Sequence, residues 1–151
     1  MESPSIGSLY QDLILEHYRR PRNQGELPDR TADVHVANPV CGDEIRLQLK
    51  IAGGIIEQAR FVGSGCSISQ ASASMMTSLL EGRSLTDAEA LAKRFGDMMR
   101  GDADAARDRR LGDLRALQGV SKFPVRIKCA MLGFDALRKP LEHNSAIKGS
   151  P

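Results

Sequence analysis

Three cysteines and one neighbouring aspartate are the residues of this chain best suited to metal or sulfur chemistry. Cys41-Gly42-Asp43 places a thiol and a carboxylate two residues apart, and the glycine between them lets both side chains turn toward one ion. A cysteine thiolate and an aspartate oxygen are both zinc ligands. The alternative is an ordinary tight turn, in which Asp43 caps backbone amides and Cys41 has no role.

The second thiol, Cys66, directly follows the glycine turn Gly63-Ser64-Gly65 and precedes a predicted helix. Unpaired amides and the positive end of the helix dipole favour a thiolate at such a position, which prepares it for metal or sulfur chemistry. The alternative is a small buried residue at the helix cap. The spacing alone leaves both readings open.

The third thiol, Cys129, lies three residues after Arg126 and therefore shares a helix face with it. Arg126 and Lys128 are nearby cations that would favour a thiolate here, and Arg126 could also meet an anionic sulfur species or a partner's carboxylate. Cys129 also falls at helical spacing with Val125 and Leu132, which is typical of a core cysteine.

Cys41, Asp43, Cys66 and Cys129 together would supply the four ligands of a tetrahedral zinc site. Their wide separation differs from the local cysteine pairs of zinc fingers, so the residues by themselves leave open whether the four meet in space. Other candidates are weaker. The serines of the segment CSISQASAS lack an acid–base partner and indicate close helix packing (Ser67, Ser69, Ser72 and Ser74), and no role is assigned to the histidines (His17, His35 and His143).

The elements that must position these residues follow from polarity patterns. Residues 44–51 alternate strictly between apolar and polar, which predicts a strand with one covered face. Gly53-Gly54 predicts a hairpin to an antiparallel strand over residues 55–62, and a short strand over 31–37 precedes them. A helix, three strands and then helices indicate one α+β domain, with helices packed on one face of a small three-stranded antiparallel sheet.

Helix boundaries are predicted from capping and stop signals. Ser8 with Gln11 and Thr86 with Glu89 have the form of capping boxes. We predict helices over residues 8–20, 67–81 and 86–99, a loop over 101–110, a short helix through Leu111, Leu114 and Leu117, and a last helix from Pro124 that buries Val125, Cys129, Leu132 and Ala136. Residues 143–151 are expected to form a frayed, flexible tail.

The composition of the chain argues against several classes of function. The 151 residues carry a net charge of +2 and only 4% aromatic residues, so neither a nucleic-acid backbone nor an anionic membrane is an expected partner. No apolar run approaches the roughly 20 residues that span a bilayer. An odd number of cysteines and no signal peptide favour a reducing, cytoplasmic location.

Four motifs carry a resemblance to a known family: LYQDLILEHYRRPRN, NPVCGDEI, GSGCSISQASASMM and LQGVSKFPVRIKCAMLGFDAL. With these in order over residues 8–141, the chain resembles the U-type iron–sulfur cluster assembly proteins of the IscU/NifU N-terminal-like superfamily, which have a SufE/NifU-like fold. In that family the cysteine motifs converge on one site. The resemblance therefore implies that Cys41, Asp43, Cys66 and Cys129 meet.

Two departures resemble the SufU type within this family. The scaffold branch has histidine immediately before the last cysteine, where this chain has Lys128, and its segment corresponding to residues 90–119 is shorter. The SufU type implies a zinc-dependent sulfurtransferase in which Cys41 accepts persulfide sulfur from a SufS-type cysteine desulfurase, Arg126 helps to engage that enzyme, and a SufBCD-type complex lies downstream. The alternatives are a scaffold for a transient [2Fe–2S] cluster and a purely structural zinc adaptor.

Overall fold

A computed structural model of the chain describes the backbone of residues 6–148 and the side chains of residues 10–142. The elements in chain order are α1 (Ile6–Arg19), β1 (Ala32–Asn38), β2 (Asp43–Ala52), β3 (Ile55–Ser64), α2 (Ser67–Leu80), α3 (Leu85–Met99), α4 (Ala103–Ala106), a 3₁₀ segment (Arg109–Lys122) and α5 (Pro124–Lys148). Within this described part, none of the helices combines the length and apolar character that crossing a membrane requires. The order confirms the predicted α+β class.

The three strands form one antiparallel sheet in the order β1-β2-β3, as predicted. Ile45, Leu47 and Leu49 point to the helical side and are at most 1% exposed, which explains the strict alternation of β2. Gly53 and Gly54 both have positive φ and close the predicted hairpin. On the opposite face Gln48 is also buried, because its side-chain oxygen accepts the backbone N–H of Leu27 at 2.6 Å.

Helix α2 is the central element of the helical side and packs against both α1 and α5. Its small residues allow the close approach, and Ser72 donates to the Ala130 carbonyl of α5 at 2.7 Å. Ser74 Oγ lies 2.8 Å from Nδ1 of His17 on α1, and that histidine is 1% exposed. Ser72 and Ser74 therefore serve packing, as expected, and His17 is an internal packing residue.

The two predicted capping boxes are wrong. Helix α1 begins at Ile6, so Ser8 lies inside it rather than at its cap. The cap of α3 is Ser84, whose hydroxyl accepts the backbone N–H of Asp87 at 3.0 Å. Ser84 and Asp87 have the same hydroxyl-x-x-acid spacing as Thr86 and Glu89, and a cap two residues earlier makes the buried Leu85 the first residue of the helix.

The prediction of a loop over residues 101–110 is also wrong. Asp102 caps the short helix α4, and Asp108 caps the 3₁₀ segment by accepting the N–H of Arg110. These local side-chain caps order a stretch whose composition shows no apolar period. The predicted leucines of the 3₁₀ segment are fully buried (Leu111, Leu114 and Leu117).

Helix α5 starts at Pro124, as predicted, but its inward face differs from the expected one. Val125 is 62% exposed, because it lies in the first turn, beyond the edge of the core that Cys129, Leu132 and Ala136 enter. The helix extends to Lys148, so the expected tail is helical over residues 143–148. Residues 149–151 lie outside the described part of the chain.

An ion pair on the open face of the sheet leads to a pH prediction. Arg46 donates to both carboxylate oxygens of Asp33, at 2.7 and 2.9 Å, and lowers the pKa of Asp33 from 3.8 to about 2. A lowered carboxyl pKa stabilises the fold above about pH 4, and this stabilisation is lost as the pH falls toward 2. We expect Asp33→Asn to lower the free energy of unfolding of the metal-free chain by about 1 kcal/mol at pH 7, with the difference shrinking below about pH 4.

Urea unfolding of the two proteins across this pH range measures the effect. The control is Asp104→Asn, because Asp104 pairs with Arg107 in a bridge whose partners are 80% and 74% exposed. Solvent screens such a pair, so its loss should cost much less. Equal costs for the two substitutions, or an Asp33 effect that does not depend on pH, would contradict the prediction.

Candidate metal centre

Two turns and the first part of a helix bring the predicted site residues together at one end of the sheet. Cys41 lies in the turn between β1 and β2, Asp43 begins β2, Cys66 is the residue before α2, and Cys129 lies in the second turn of α5. All four line one cavity of about 400 Å³. The structure thus supplies the convergence that the spacing of the residues left open.

Two hydrogen bonds to Asn38 hold the turn that carries Cys41. The Gly42 N–H donates to the Asn38 carbonyl at 2.8 Å, and the Val40 N–H donates to the Asn38 side chain at 3.1 Å. Gly42 has a φ of 75°, which glycine adopts without strain. Cys41 is therefore presented on an exposed turn, whereas Cys66 is half-buried and Cys129 is buried.

The spacing of the donor atoms fits a tetrahedral metal ion. Cys41 Sγ and Cys129 Sγ are 3.6 Å apart, and one ligand atom each from Cys41, Asp43 and Cys129 lie within 4.8 Å of one another. Two thiolates bound to one zinc ion at tetrahedral angles stand roughly 3.8 Å apart. Two thiolates and a carboxylate at this spacing are a donor set that suits zinc.

Cys66 lies outside that group of three but contacts it directly. Its thiol donates to Asp43 Oδ2 at 3.1 Å, and its backbone N–H donates to Asp43 Oδ1 at 3.1 Å. Both oxygens of Asp43 are therefore held by Cys66. The carboxylate links the start of β2 to the start of α2, so the alternative of a local turn cap is wrong.

Gly65 is a determinant of the site that the sequence analysis missed. Its φ is 141°, and a Cβ atom placed on it would lie only 2.4 Å from Asp43 Oδ1 and 2.5 Å from Asp43 Cγ. The backbone before Cys66 can approach the carboxylate this closely only without a side chain. The available signal was the glycine that directly precedes the cysteine.

The electrostatics of the site differ from the expectation at Cys129. Burial, together with hydrogen bonds to Cys41 and Asp43, raises the pKa of the Cys129 thiol far above its ordinary range. The prediction that Arg126 and Lys128 would favour its thiolate is wrong, because both cations are exposed and burial outweighs them. Burial also acts to raise the pKa of Asp43, but hydrogen bonds from Cys66 leave it below its ordinary value. A bound cation would favour the ionised form of all these ligands.

The rim of the cavity is apolar and basic. Val40 is 79% exposed and Val125 is 62% exposed, and Arg126 lines the cavity between Val125 and Cys129. Exposed valines beside reactive thiols have no role in the core. The edge of the cavity beside Cys41 thus exposes apolar and cationic groups to solvent.

Comparison with known proteins agrees with this geometry. Residues 9–142 match the model of the family described as NifU-like N terminal domain. The chain is 52% identical over 136 residues to the zinc-dependent sulfurtransferase SufU of Bacillus subtilis, covering 89% of this chain and 90% of that protein. It is 39% identical over 145 residues to the iron–sulfur cluster assembly scaffold protein IscU of Streptococcus pyogenes, covering 96% and 90%.

A solved structure is similar over nearly the same length. The crystal structure of a proposed iron–sulfur cluster assembly scaffold protein for the SUF system from Fervidobacterium islandicum AW-1 superposes with a TM-score of 0.78 at 28% identity. The match covers 86% of this chain and 94% of that one. The sheet and its helices are thus the architecture of that protein as well.

Proposed function

We propose that this chain, which belongs to the NifU-like N-terminal domain family, accepts persulfide sulfur on Cys41 from a cysteine desulfurase and passes it to iron–sulfur cluster assembly. One observation carries the proposal. Of its three thiols, only Cys41 is exposed, and it lies on a turn whose neighbours are exposed as well. A thiol that takes sulfur from another protein must reach that protein's active site, and Cys129 is too buried to do so.

Zinc is the metal that the donor set suits, and we propose Cys41, Asp43, Cys66 and Cys129 as its ligands. When bound, zinc stabilises the thiolates against the burial that disfavours them. The similarity to the zinc-dependent sulfurtransferase of Bacillus subtilis supports this choice. The backbone N–H of Cys66 donates to Asp43, so the position of Cys66 is also held when its thiol is ionised.

The proposed transfer is a thiol exchange. Once Cys41 is released from the metal position, its thiolate would attack the outer sulfur of the desulfurase persulfide, the sulfur–sulfur bond of the donor would break, and the donor cysteine would leave as a thiolate. Cys41 then carries the persulfide. Arg126, exposed at the rim, is placed to meet a carboxylate of the approaching enzyme.

The setting of this reaction completes the proposal. We propose a SufS-type desulfurase as the donor, a SufBCD-type complex as the downstream acceptor and the cytoplasm as the location, with residues 1–151 acting as one domain. The family match across residues 9–142 supports the single domain. The similarity to a SUF-system protein supports the choice of machinery.

A second candidate function is a scaffold for a transient [2Fe–2S] cluster. The similarity to the Streptococcus pyogenes scaffold favours it, and so do three thiols that line one cavity. The two functions differ in their products. A sulfur acceptor ends with an additional sulfur atom on Cys41 and no colour, whereas a scaffold develops the visible absorption of an iron–sulfur chromophore.

The test is desulfurase turnover, followed as alanine release, with zinc-loaded and iron-free chain. We expect strong stimulation by the wild type, a mass increase of one sulfur atom on its Cys41 peptide, and loss of both with Cys41→Ala. The control is Val40→Ala, which alters the same exposed turn but keeps the thiol. No stimulation by fully zinc-loaded wild type would contradict the proposal, and a chromophore after iron reconstitution would then favour the scaffold.

A further inference from the structure

A second, larger cavity adjoins the thiol cavity and has no role in the chemistry described so far. It is an open groove of about 840 Å³ between α1, the start of α2, the 3₁₀ segment and the start of α5. Its walls are mainly apolar (Tyr10, Ile14, Ile68, Val120 and Phe123). Phe123 is 61% exposed there, although a phenylalanine of a folded chain is normally buried.

Arg126 joins the groove to the thiol cavity, because its side chain lines both. Ser67, the residue after Cys66, also lines the groove. A molecule that lies in the groove therefore reaches the edge of the site. A molecule bound in the groove and a molecule that contacts Cys41 would therefore share one continuous surface.

The charge of this surface limits what can cover it. Arg126 is the charged residue among the described residues that line the groove, and none of them is acidic. Among residues with described side chains, none forms an ion pair with Arg126. A symmetric interface puts the same face on both copies, so a second copy would bring no carboxylate from this face to Arg126. A different protein that carries a carboxylate at this position would pair with Arg126.

We infer that the groove takes an apolar side chain of the sulfur-donating desulfurase, from a segment that also carries a carboxylate opposite Arg126. The inference rests on the proposed function. Burial of one large apolar side chain in such a groove strengthens binding by about 10-fold to 100-fold. The anchor holds the donor beside Cys41 without taking part in the transfer of sulfur.

Gly119 allows a direct test, because it lines the groove and a Cβ atom at this position meets no atom within 4 Å. Its φ is not positive, so a larger residue fits the backbone. Gly119→Phe therefore adds a ring at the lining of the groove, at a position where its Cβ meets no other atom. The matched control is Ala103→Phe, which adds the same ring at an exposed position on α4, outside the groove.

The measurement is alanine release by a SufS-type desulfurase against the concentration of zinc-loaded chain. With Gly119→Phe we expect the concentration for half-maximal stimulation to rise about 10-fold or more, with an unchanged rate at saturation and unchanged zinc content. Phe123→Ala, which removes one apolar wall of the groove, should also raise the concentration for half-maximal stimulation. Ala103→Phe should match the wild type.

Unchanged half-maximal concentrations for both Gly119→Phe and Phe123→Ala would overturn the inference. A groove variant that instead changes the oligomeric state of the free chain would also overturn it, and would assign the groove to a second copy. In either case the proposed function stands if the wild type still gains sulfur on Cys41. If Cys41 of the wild type gains no sulfur atom, the proposed function itself is refuted.

Discussion

Removing the metal ion from the zinc-loaded chain is expected to lower its melting temperature by roughly 10 °C. The proposed ligands come from three segments that are far apart in sequence, at Cys41 with Asp43, at Cys66 and at Cys129. A ligand that binds only the folded state at 1,000 times its dissociation constant adds about 4 kcal/mol to the free energy of unfolding. In a domain of this size, 1 kcal/mol corresponds to about 2–4 °C.

Thermal unfolding before and after treatment with a chelator measures this shift, with zinc content determined on the same samples. The control is Cys129→Ser, which replaces a buried ligand by a residue of similar size and should make the melting temperature insensitive to the chelator. If zinc is fully removed and the wild type still melts at the same temperature, the metal does not join these segments in the folded state.

Replacement of Gly65 by alanine is expected to weaken zinc binding by about 10-fold to 100-fold, because the new methyl group would displace the Asp43 carboxylate. The added Cβ would stand 2.4 Å from Asp43 Oδ1, a distance at which one of the two must move. The substitution also places a side chain at a φ of 141°. This backbone strain should lower the free energy of unfolding by about 1–3 kcal/mol.

Gly25 offers a closely matched control. Its φ is 137°, but a Cβ atom there meets nothing within 4 Å. Gly25→Ala should therefore show the loss of stability without the loss of zinc affinity. Competition with a chromophoric chelator gives the affinities, and urea unfolding gives the stabilities. Equal zinc affinities for the two variants would show that the close contact of Gly65 with Asp43 does not shape the site.

The sheet was predictable from sequence because its evidence is local. Residues 44–51 alternate in polarity, and Gly53-Gly54 marks the reversal, so the strands and their pairing follow from neighbouring residues. The register does not follow fully, because an irregularity between Lys50 and Ile51 shifts it. The caps were less predictable, because a hydroxyl residue with an acidic residue three positions later occurs twice near the start of α3, at Ser84 with Asp87 and at Thr86 with Glu89. The position that buries Leu85 is selected by packing, which the pattern does not contain.

The site was predictable in its members but not in its geometry. Residue type identified the three thiols and Asp43, whereas their convergence depends on how α5 packs against the sheet, and only the family resemblance anticipated it. The ionisation of Cys129 was wrongly predicted from neighbouring cations, since burial is a tertiary property. The groove beside the site is formed by four separate elements and left no signal in any one of them.

The small buried residues of α2 fix the position of Cys66. Helix α2 packs closely through alanine and serine, so the residue directly before its first turn is attached to the close-packed core. Cys129 is held within the core in the same way. Cys41 instead lies on an exposed turn, whose hydrogen bonds run within residues 38–42. The positions of two thiols are therefore determined by the core, whereas the position of the third is determined by its own turn.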